Sequence, residues 1–463
     1  MCQTENPPGA IPDTSITGTW QGALKFNGNQ LRLVFHITKT DSGTLTGSLD
    51  SPDQGAKGLP ISNIILSQDS VKLIFTTISG EFAGKLSVDR ISIEGQWTQG
   101  SASLPLSMSR TTVDITYNRP QEPKPPFPYT SEDVSFESKT TGMKYFGTLT
   151  VPDSGRPFPA AVLITGSGGH DRNEELMGHK PFLVIADYLT RRGIAVLRVD
   201  DRGWGNSTGN KMAVTSAEHA KDVIAEIEYL KSRNEINPDK IGLIGHSEGG
   251  AIAPMVAAQS NDVAFLVSLA GPGTTGAECI VDQTRLILKS YGAPDSAIDA
   301  ATNELKNEYR ILTISNDSTI VADSLRKYLR AAFPHWANDN EKKQGDVETA
   351  IDKKITSLFA PWFHYFLLYD PQPTLEKVKC PVLAMDGTLD LQVPAEKNLK
   401  AIGDALKKGG NNNYTIKLLP GLNHLFQDAK TGSPTEYAQI EETFSPEALK
   451  AVGDWIVEKT EKR

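Results

Sequence analysis

Alternation of apolar and polar positions dominates the first quarter of the chain. Leu31, Leu33, Phe35 and Ile37 alternate with Arg32, Val34, His36 and Thr38; Val71, Leu73 and Phe75 repeat the pattern, and Ile91, Ile93 and Trp97 extend it. A period of two puts successive side chains on opposite faces of a strand. Asp41-Ser42-Gly43 and Asp50-Ser51-Pro52-Asp53 supply turn residues between such strands. A unit of glycine, aromatic and glycine recurs in Gly18-Thr19-Trp20-Gln21-Gly22 and Gly80-Glu81-Phe82-Ala83-Gly84. Residues 16–117 are therefore expected to form a small antiparallel all-β barrel or sandwich, after a disordered tail at 1–15.

The pattern then changes. Pro120, Pro123, Pro125, Pro126 and Pro128 fall within nine residues, which predicts an extended, stiff linker over 118–130. Beyond it, apolar β-branched runs alternate with helical stretches. The runs are Ala160–Ile164, Ile194–Val199, Ile241–Ile244, Val263–Val267, Pro381–Met385 and Tyr414–Leu418, with a helix such as Ala217–Lys231 between two of them. Continuous apolar strands between helices imply an α/β domain over 131–463, its mostly parallel sheet covered on both faces. No such strand occurs between about 274 and 375, so that stretch is expected to be a helical lid inserted before the strand at 381.

Composition narrows the function classes. The chain has 463 residues, 38% hydrophobic and 22% charged, with a formal net charge of -9. Its basic residues are scattered, which argues against a nucleic-acid partner. No apolar run approaches the roughly 18 residues needed to cross a bilayer. Cys2, Cys279 and Cys380 have unrelated spacings, so neither a disulfide framework nor a metal site is expected, and no cofactor is implied. Cys2 opens a polar segment, Gln3-Thr4-Glu5-Asn6-Pro7-Pro8-Gly9, as the lipidated cysteine of a processed bacterial lipoprotein does. A lipid anchor through Cys2 and a periplasmic or lipid-anchored place in the cell envelope are the expectation.

Chemistry enters at Gly245-His246-Ser247-Glu248-Gly249, directly after the strand ending at Ile244 and before a helix opening at Gly250. The five residues alone are a weak signal, but strand, sharp turn and helix make them a nucleophile elbow with Ser247 as nucleophile. Glycines fit where the turn is tight and the helix lies close on the sheet. The helix N-terminus behind the serine favours negative charge. Pro254 is an irregularity, since it removes a hydrogen bond inside that helix.

A serine hydroxyl needs a base. In this architecture the order is Ser, then acid, then His, each after a strand. Asp390, in Asp386-Gly387-Thr388-Leu389-Asp390, and His424, in Pro420-Gly421-Leu422-Asn423-His424, stand at those places. Asp386 is the alternative acid. His246 is a weaker candidate base, and His170, His179, His335 and His364 lack a post-strand position. An oxyanion hole needs two N–H groups. One is expected from Glu248, its side chain incidental, and the other from Ser167 or Gly168 in Thr165-Gly166-Ser167-Gly168-Gly169. Ser167 is a minor alternative nucleophile. Arg202, in Asp200-Asp201-Arg202-Gly203-Trp204-Gly205, is expected to be structural. Trp362, Phe363, Tyr365 and Phe366 form an aromatic run in the lid that reads equally as packing or as the wall of an acyl pocket.

The segments Gly245–Gly250, Pro361–Phe366, Asp386–Pro394 and Leu419–Gln427 together resemble bacterial α/β-hydrolase esterases, a group named loosely with acylaminoacyl-peptidase-like enzymes, some with an N-terminal β domain. The resemblance spans most of 130–460 and implies a serine esterase acting on small short-acyl esters with the triad Ser247, Asp390 and His424. It implies no role for the β domain, and the oligomeric state stays open. A peptidase of acylaminoacyl or dipeptidyl type is the second reading, because the same triad cleaves amides. About 100 residues cannot form the β-propeller such peptidases carry. A surface binding protein with a vestigial hydrolase domain is the third, against which the intact motifs weigh.

Overall fold

The computed structural model describes residues 16–26, 29–54, 56–99, 102–111, 118–210, 214–336 and 347–461. Cys2, the tail at 1–15 and the side chain of His335 lie outside the described residues. The chain divides into two compact units, Met1–Tyr117 and Asn118–Arg463.

The first unit is one antiparallel sheet of nine strands: β1 (Gly18–Phe26), β2 (Asn29–Lys39), β3 (Leu45–Ser51), β4 (Ala56–Pro60), β5 (Asn63–Ser67), β6 (Ser70–Phe75), β7 (Gly80–Leu86), β8 (Ser92–Gln99) and β9 (Ala102–Thr111). Their order is β4-β3-β2-β1-β9-β8-β7-β6-β5. The sheet curls, so one face closes around Trp20, Phe35, Phe75, Phe82 and Trp97. The two glycine-flanked aromatics of the recurring unit, Trp20 and Phe82, are both fully buried there.

The second unit holds an eight-stranded mixed sheet: β10 (Tyr129–Glu137), β11 (Lys144–Pro152), β12 (Phe158–Ile164), β13 (Ala195–Val199), β14 (Ile236–His246), β15 (Phe265–Leu269), β16 (Val382–Gly387) and β17 (Tyr414–Leu419). The order is β10-β11-β13-β12-β14-β15-β16-β17. β10, β11 and β13 pair antiparallel, and from β13 to β17 every pairing is parallel. Two apolar clusters cover its faces. One contains Leu243, Ile252 and Leu399, the other Phe182, Phe265 and Ile456. The strand ends of β12, β14, β16 and β17 lead into the loops that carry the candidate residues.

Between β15 and β16 the chain leaves the sheet for helices Gly276–Ser290, Asp295–Leu312, Ser318–Trp336, Val347–Leu358, Pro361–Leu368 and Gln372–Leu375. All but the last share a core of their own around Leu325, Leu329, Ile351 and Leu367, while Leu375 joins the core under the sheet. Their spacing explains it, since apolar residues on one stripe of each helix must be covered by another helix.

The proline-rich segment is not a free spacer. Arg119 donates to the carbonyls of Ile440 at 2.7 Å, Ala438 at 2.9 Å and Met177 at 2.9 Å. Gln121 accepts from the Thr443 N–H at 2.6 Å and donates to the Phe444 carbonyl at 2.7 Å. Buried carbonyls of an irregular loop need donors, and these side chains supply them. His179 serves the same loop, 3.0 Å from the Thr443 hydroxyl and donating to the Tyr437 carbonyl at 2.9 Å.

Burial, reinforced by the charge of Arg119, lowers the His179 pKa from 6.5 to about 4. A histidine so depressed takes up its proton more readily once unfolded, so its contribution is intact above 6.5 and lost as the pH falls towards 4. Urea denaturation at about pH 7 and about pH 4.5 should therefore show an acid-side loss that His179→Gln reduces by on the order of 2–3 kcal/mol. Equal acid-side losses in both proteins would contradict this.

Candidate active site

β14 ends in a turn that presents Ser247 with a positive φ of 52°. A non-glycine residue there is strained, and its surroundings hold it. The Ser247 N–H donates to the Leu269 carbonyl at 2.8 Å, and the helix Gly249–Ala257 starts at once. A Cβ at Gly249 would stand 2.7 Å from the Thr165 carbonyl oxygen, and one at Gly250 would stand 2.6 Å from Gly271 Cα. Only glycine admits this approach of helix to sheet. Pro254 lies inside the helix, and the Gly250 carbonyl that its missing N–H would have met accepts from the Ser268 hydroxyl at 3.4 Å.

Ser247, His424 and Asp390 come together from three strand ends. His424 Nε2 lies 3.0 Å from Ser247 Oγ, and Nδ1 lies 2.6 Å from Asp390 Oδ2. The second oxygen of Asp390 accepts from the N–H groups of Gln392 at 2.7 Å and Val393 at 2.9 Å. Both oxygens of that carboxylate are thus engaged, and Oδ2 faces the imidazole.

Asp386, the alternative acid, is the penultimate residue of β16, with Oδ1 accepting from the Gly387 N–H at 2.7 Å. Oδ2 is buried without a hydrogen-bond partner among the described residues. Burial, then the charge of Asp390, raises the Asp386 pKa well above the usual carboxylate range and so favours its neutral form.

His246 has both ring nitrogens engaged away from Ser247: Nδ1 with Glu174 at 3.0 Å and Nε2 with the His424 carbonyl at 3.0 Å. Ser167 is exposed, and His170 meets its carbonyl rather than its hydroxyl. His364 contacts the Leu358 carbonyl at 3.2 Å and stacks on Phe359.

Among the described residues the N–H groups of Glu248, Ser167 and Gly168 donate to no protein acceptor. The Gly166 N–H, in contrast, is taken by Glu174 at 2.6 Å. The glycine loop is braced by Asp201, which accepts from the His170 N–H at 2.8 Å and the Thr165 hydroxyl at 2.9 Å. Burial pushes Asp201 up to about 8, with those two bonds opposing it. Arg202 pairs with Asp222, Nε to Oδ2 at 2.6 Å, and Tyr145 donates to the same carboxylate.

A cavity of about 240 Å³ opens beside these N–H groups, lined by Gly168, Gly169, Val214, Glu248, Ile252 and Trp362 among others. The four lid aromatics separate here. Trp362 forms a wall, and Phe366 stacks on it with ring centroids 5.7 Å apart. Phe363 packs into the lid core and Tyr365 against the main core, because neighbours on a helix face different directions.

Apart from its backbone N–H, Glu248 has a second role in its side chain. Its buried carboxylate accepts from the Trp362 indole N–H at 2.9 and 2.8 Å and from the Ser216 hydroxyl at 2.5 Å. Burial raises its pKa, which the Ser216 and Trp362 bonds counter. The lid is therefore tied to the residue that follows Ser247.

Asp390→Asn should lower kcat by about 10³–10⁴, because the amide favours the wrong imidazole tautomer. Asp386→Asn is close in shape to a neutral acid and should leave kcat within about threefold of wild type. Steady-state kinetics on both variants, with melting curves to verify folding, decide between the two. A normal kcat in folded Asp390→Asn would refute the pairing.

A family model described as serine aminopeptidase, S33, matches residues 180–339. The chain is 27% identical over 305 residues to Esterase EstD of Thermotoga maritima, a match that covers 65% of this chain and 63% of EstD. It is 31% identical over 129 residues to the Bacillus subtilis protein YtaP, covering 24% of this chain and 43% of YtaP. A solved esterase structure from Pyrococcus furiosus aligns with a TM-score of 0.43 and 16% identity over 75% of this chain and 96% of that one. Strand order and elbow give the unit Asn118–Arg463 the α/β-hydrolase fold, and its sequence is similar to that of an esterase.

Proposed function

We propose that this chain hydrolyses small carboxylic esters with short acyl groups through an acyl-enzyme on Ser247. The observation that carries the reading is the unbroken line from Asp390 through His424 to Ser247, at 2.6 and 3.0 Å. Next to Ser247 in the chain is the Glu248 N–H, which among the described residues has no protein acceptor.

In this reading His424 takes the Ser247 proton as Oγ attacks the ester carbonyl carbon, and Asp390 stabilises the imidazolium that forms. The carbonyl oxygen becomes an oxyanion that the Glu248 N–H and a Ser167 or Gly168 N–H receive. Collapse of the tetrahedral species breaks the bond to the alcohol, which leaves with the proton from His424. Water, activated by the same histidine, then attacks the acyl-serine and frees the acid.

Two features support a short acyl group. The cavity of about 240 Å³ is below the roughly 300–1,000 Å³ common for small-molecule sites. Trp362 lines it, held in place by Glu248. The relative EstD is named an esterase, which supports ester over amide bonds. The serine aminopeptidase description of the matching family model favours a second reading, cleavage of aminoacyl amides.

Nitrophenyl acetate and butyrate should turn over well, and an aminoacyl anilide poorly; the reverse ranking would favour the peptidase. Ser247→Ala should lower kcat by roughly 10⁴–10⁶ in a stable protein, and retention of more than about a tenth of the activity would overturn the mechanism. Trp362→Ala should move the preference from acetyl and butyryl towards octanoyl esters. An unchanged chain-length profile would reduce Trp362 to packing.

A further inference from the structure

Behind the Ser247 site lies a second carboxylate–imidazole pair that the proposed mechanism does not use. Glu174 and His246 are both buried, and Glu174 Oε1 stands 3.0 Å from His246 Nδ1. The other partners of the pair are backbone groups of the site itself. Glu174 Oε1 also accepts the Gly166 N–H at 2.6 Å, one residue before the candidate oxyanion donors Ser167 and Gly168. His246 Nε2 meets the carbonyl of His424 at 3.0 Å.

That carbonyl can only accept, so His246 Nε2 must carry a proton. An ionised Glu174 can only accept as well, which puts a second proton on Nδ1 and makes the pair imidazolium and carboxylate. The pKa directions agree. Burial is the largest influence and opposes ionisation of both groups, yet the partner's charge and the hydrogen bonds together outweigh it, raising His246 and lowering Glu174. The Glu174 side chain is aimed inward by a tight turn. Its own φ is 51°, its N–H donates to the Asp171 carbonyl at 2.9 Å, and the Asp171 carboxylate accepts from the Glu175 N–H at 2.9 Å.

A buried ion pair adds little stability over an apolar pair of similar shape. What this one adds is a link among three chain segments that are distant in sequence: the glycine loop after β12, the elbow after β14 and the loop after β17. A Cβ on Gly166 would stand 3.2 Å from both Glu174 Oε1 and Ser247 Cβ, so there is little room for a side chain between that carboxylate and the elbow. The His246 and His424 ring centroids are 5.0 Å apart.

We propose that Glu174 and His246 are positioning residues: through the Gly166 N–H and the His424 carbonyl they hold the oxyanion loop and the catalytic imidazole in register with Ser247. This rests on the Ser247–His424–Asp390 reading and adds to it a pair that transfers no proton to or from substrate.

The test compares Glu174→Gln and Glu174→Ala with wild type on a nitrophenyl ester, with reactive sites counted by stoichiometric organophosphate titration. The amide variant keeps the shape and an accepting oxygen but loses the charge. Misplacement of reacting groups by about 1 Å costs on the order of 10²-fold. Per titrated site, kcat should therefore fall roughly 3- to 10-fold in Glu174→Gln and 10- to 100-fold in Glu174→Ala, with KM within about twofold.

A purely structural role would lower the melting temperature or the number of titratable sites and leave kcat per site unchanged, and that result would overturn the proposal. If Glu174→Ala does not fold, Glu174→Gln decides alone. Ser247→Ala run in parallel separates the two readings. Activity surviving there defeats the mechanism itself, whereas a dead Ser247→Ala with normal kcat in the Glu174 variants defeats only the positioning role.

Discussion

Everything proposed for the second unit depends on one strained turn. Ser247 sits at a φ of 52° because the helix after it lies so close to the sheet that Gly249 and Gly250 have no room for a Cβ. The strain costs on the order of 1–3 kcal/mol and is offset by the packing of β14 between β12 and β15. The consequence is geometric. The hydroxyl stands clear of the sheet with the N–H of Glu248 beside it, where an approaching acyl group can meet both.

Around that turn the protein places polar groups that are buried and nearly all partnered. Asp201 braces the glycine loop, Glu248 ties the lid through Trp362, and Asp390 fixes the His424 ring. Each accepts bonds from backbone or side-chain donors that would otherwise be unsatisfied in a low-dielectric interior, where such bonds are strong and their loss is costly. Preorganised polarity of this kind needs no rearrangement when charge develops on a substrate oxygen. The lid enters the same network, so the wall of the cavity and the residue next to the proposed nucleophile are mechanically linked.

Ser247, Asp390 and His424 were legible in the sequence because each is tied to a strand end, and strand ends announce themselves as apolar runs followed by turn residues. The parallel sheet was legible for the same reason. The curled single sheet of the first unit was only partly so, since alternation marks each strand but not how the sheet closes. Residues whose roles depend on contacts distant in sequence were not legible. Glu174 adjoins Glu175 in a run of polar residues, and nothing local says that one is buried against His246 while the other is exposed. The contacts of the Glu248 carboxylate were not legible because its donors, Ser216 and Trp362, come from helices 32 and 114 positions away. Phe363 and Tyr365 share an aromatic run with Trp362, but only the rotation of their helix decides which ring meets the cavity.

The central claim is that Ser247 is the nucleophile of a site assembled before substrate arrives. Peptide mapping by mass spectrometry after brief exposure to a fluorophosphonate tests it most directly, because the reagent demands both an activated hydroxyl and a working oxyanion hole. The account predicts a single stoichiometric adduct on the peptide that contains Ser247, formed rapidly in the native protein and absent after denaturation. No adduct on the folded chain, or an adduct on Ser167 instead, would contradict it.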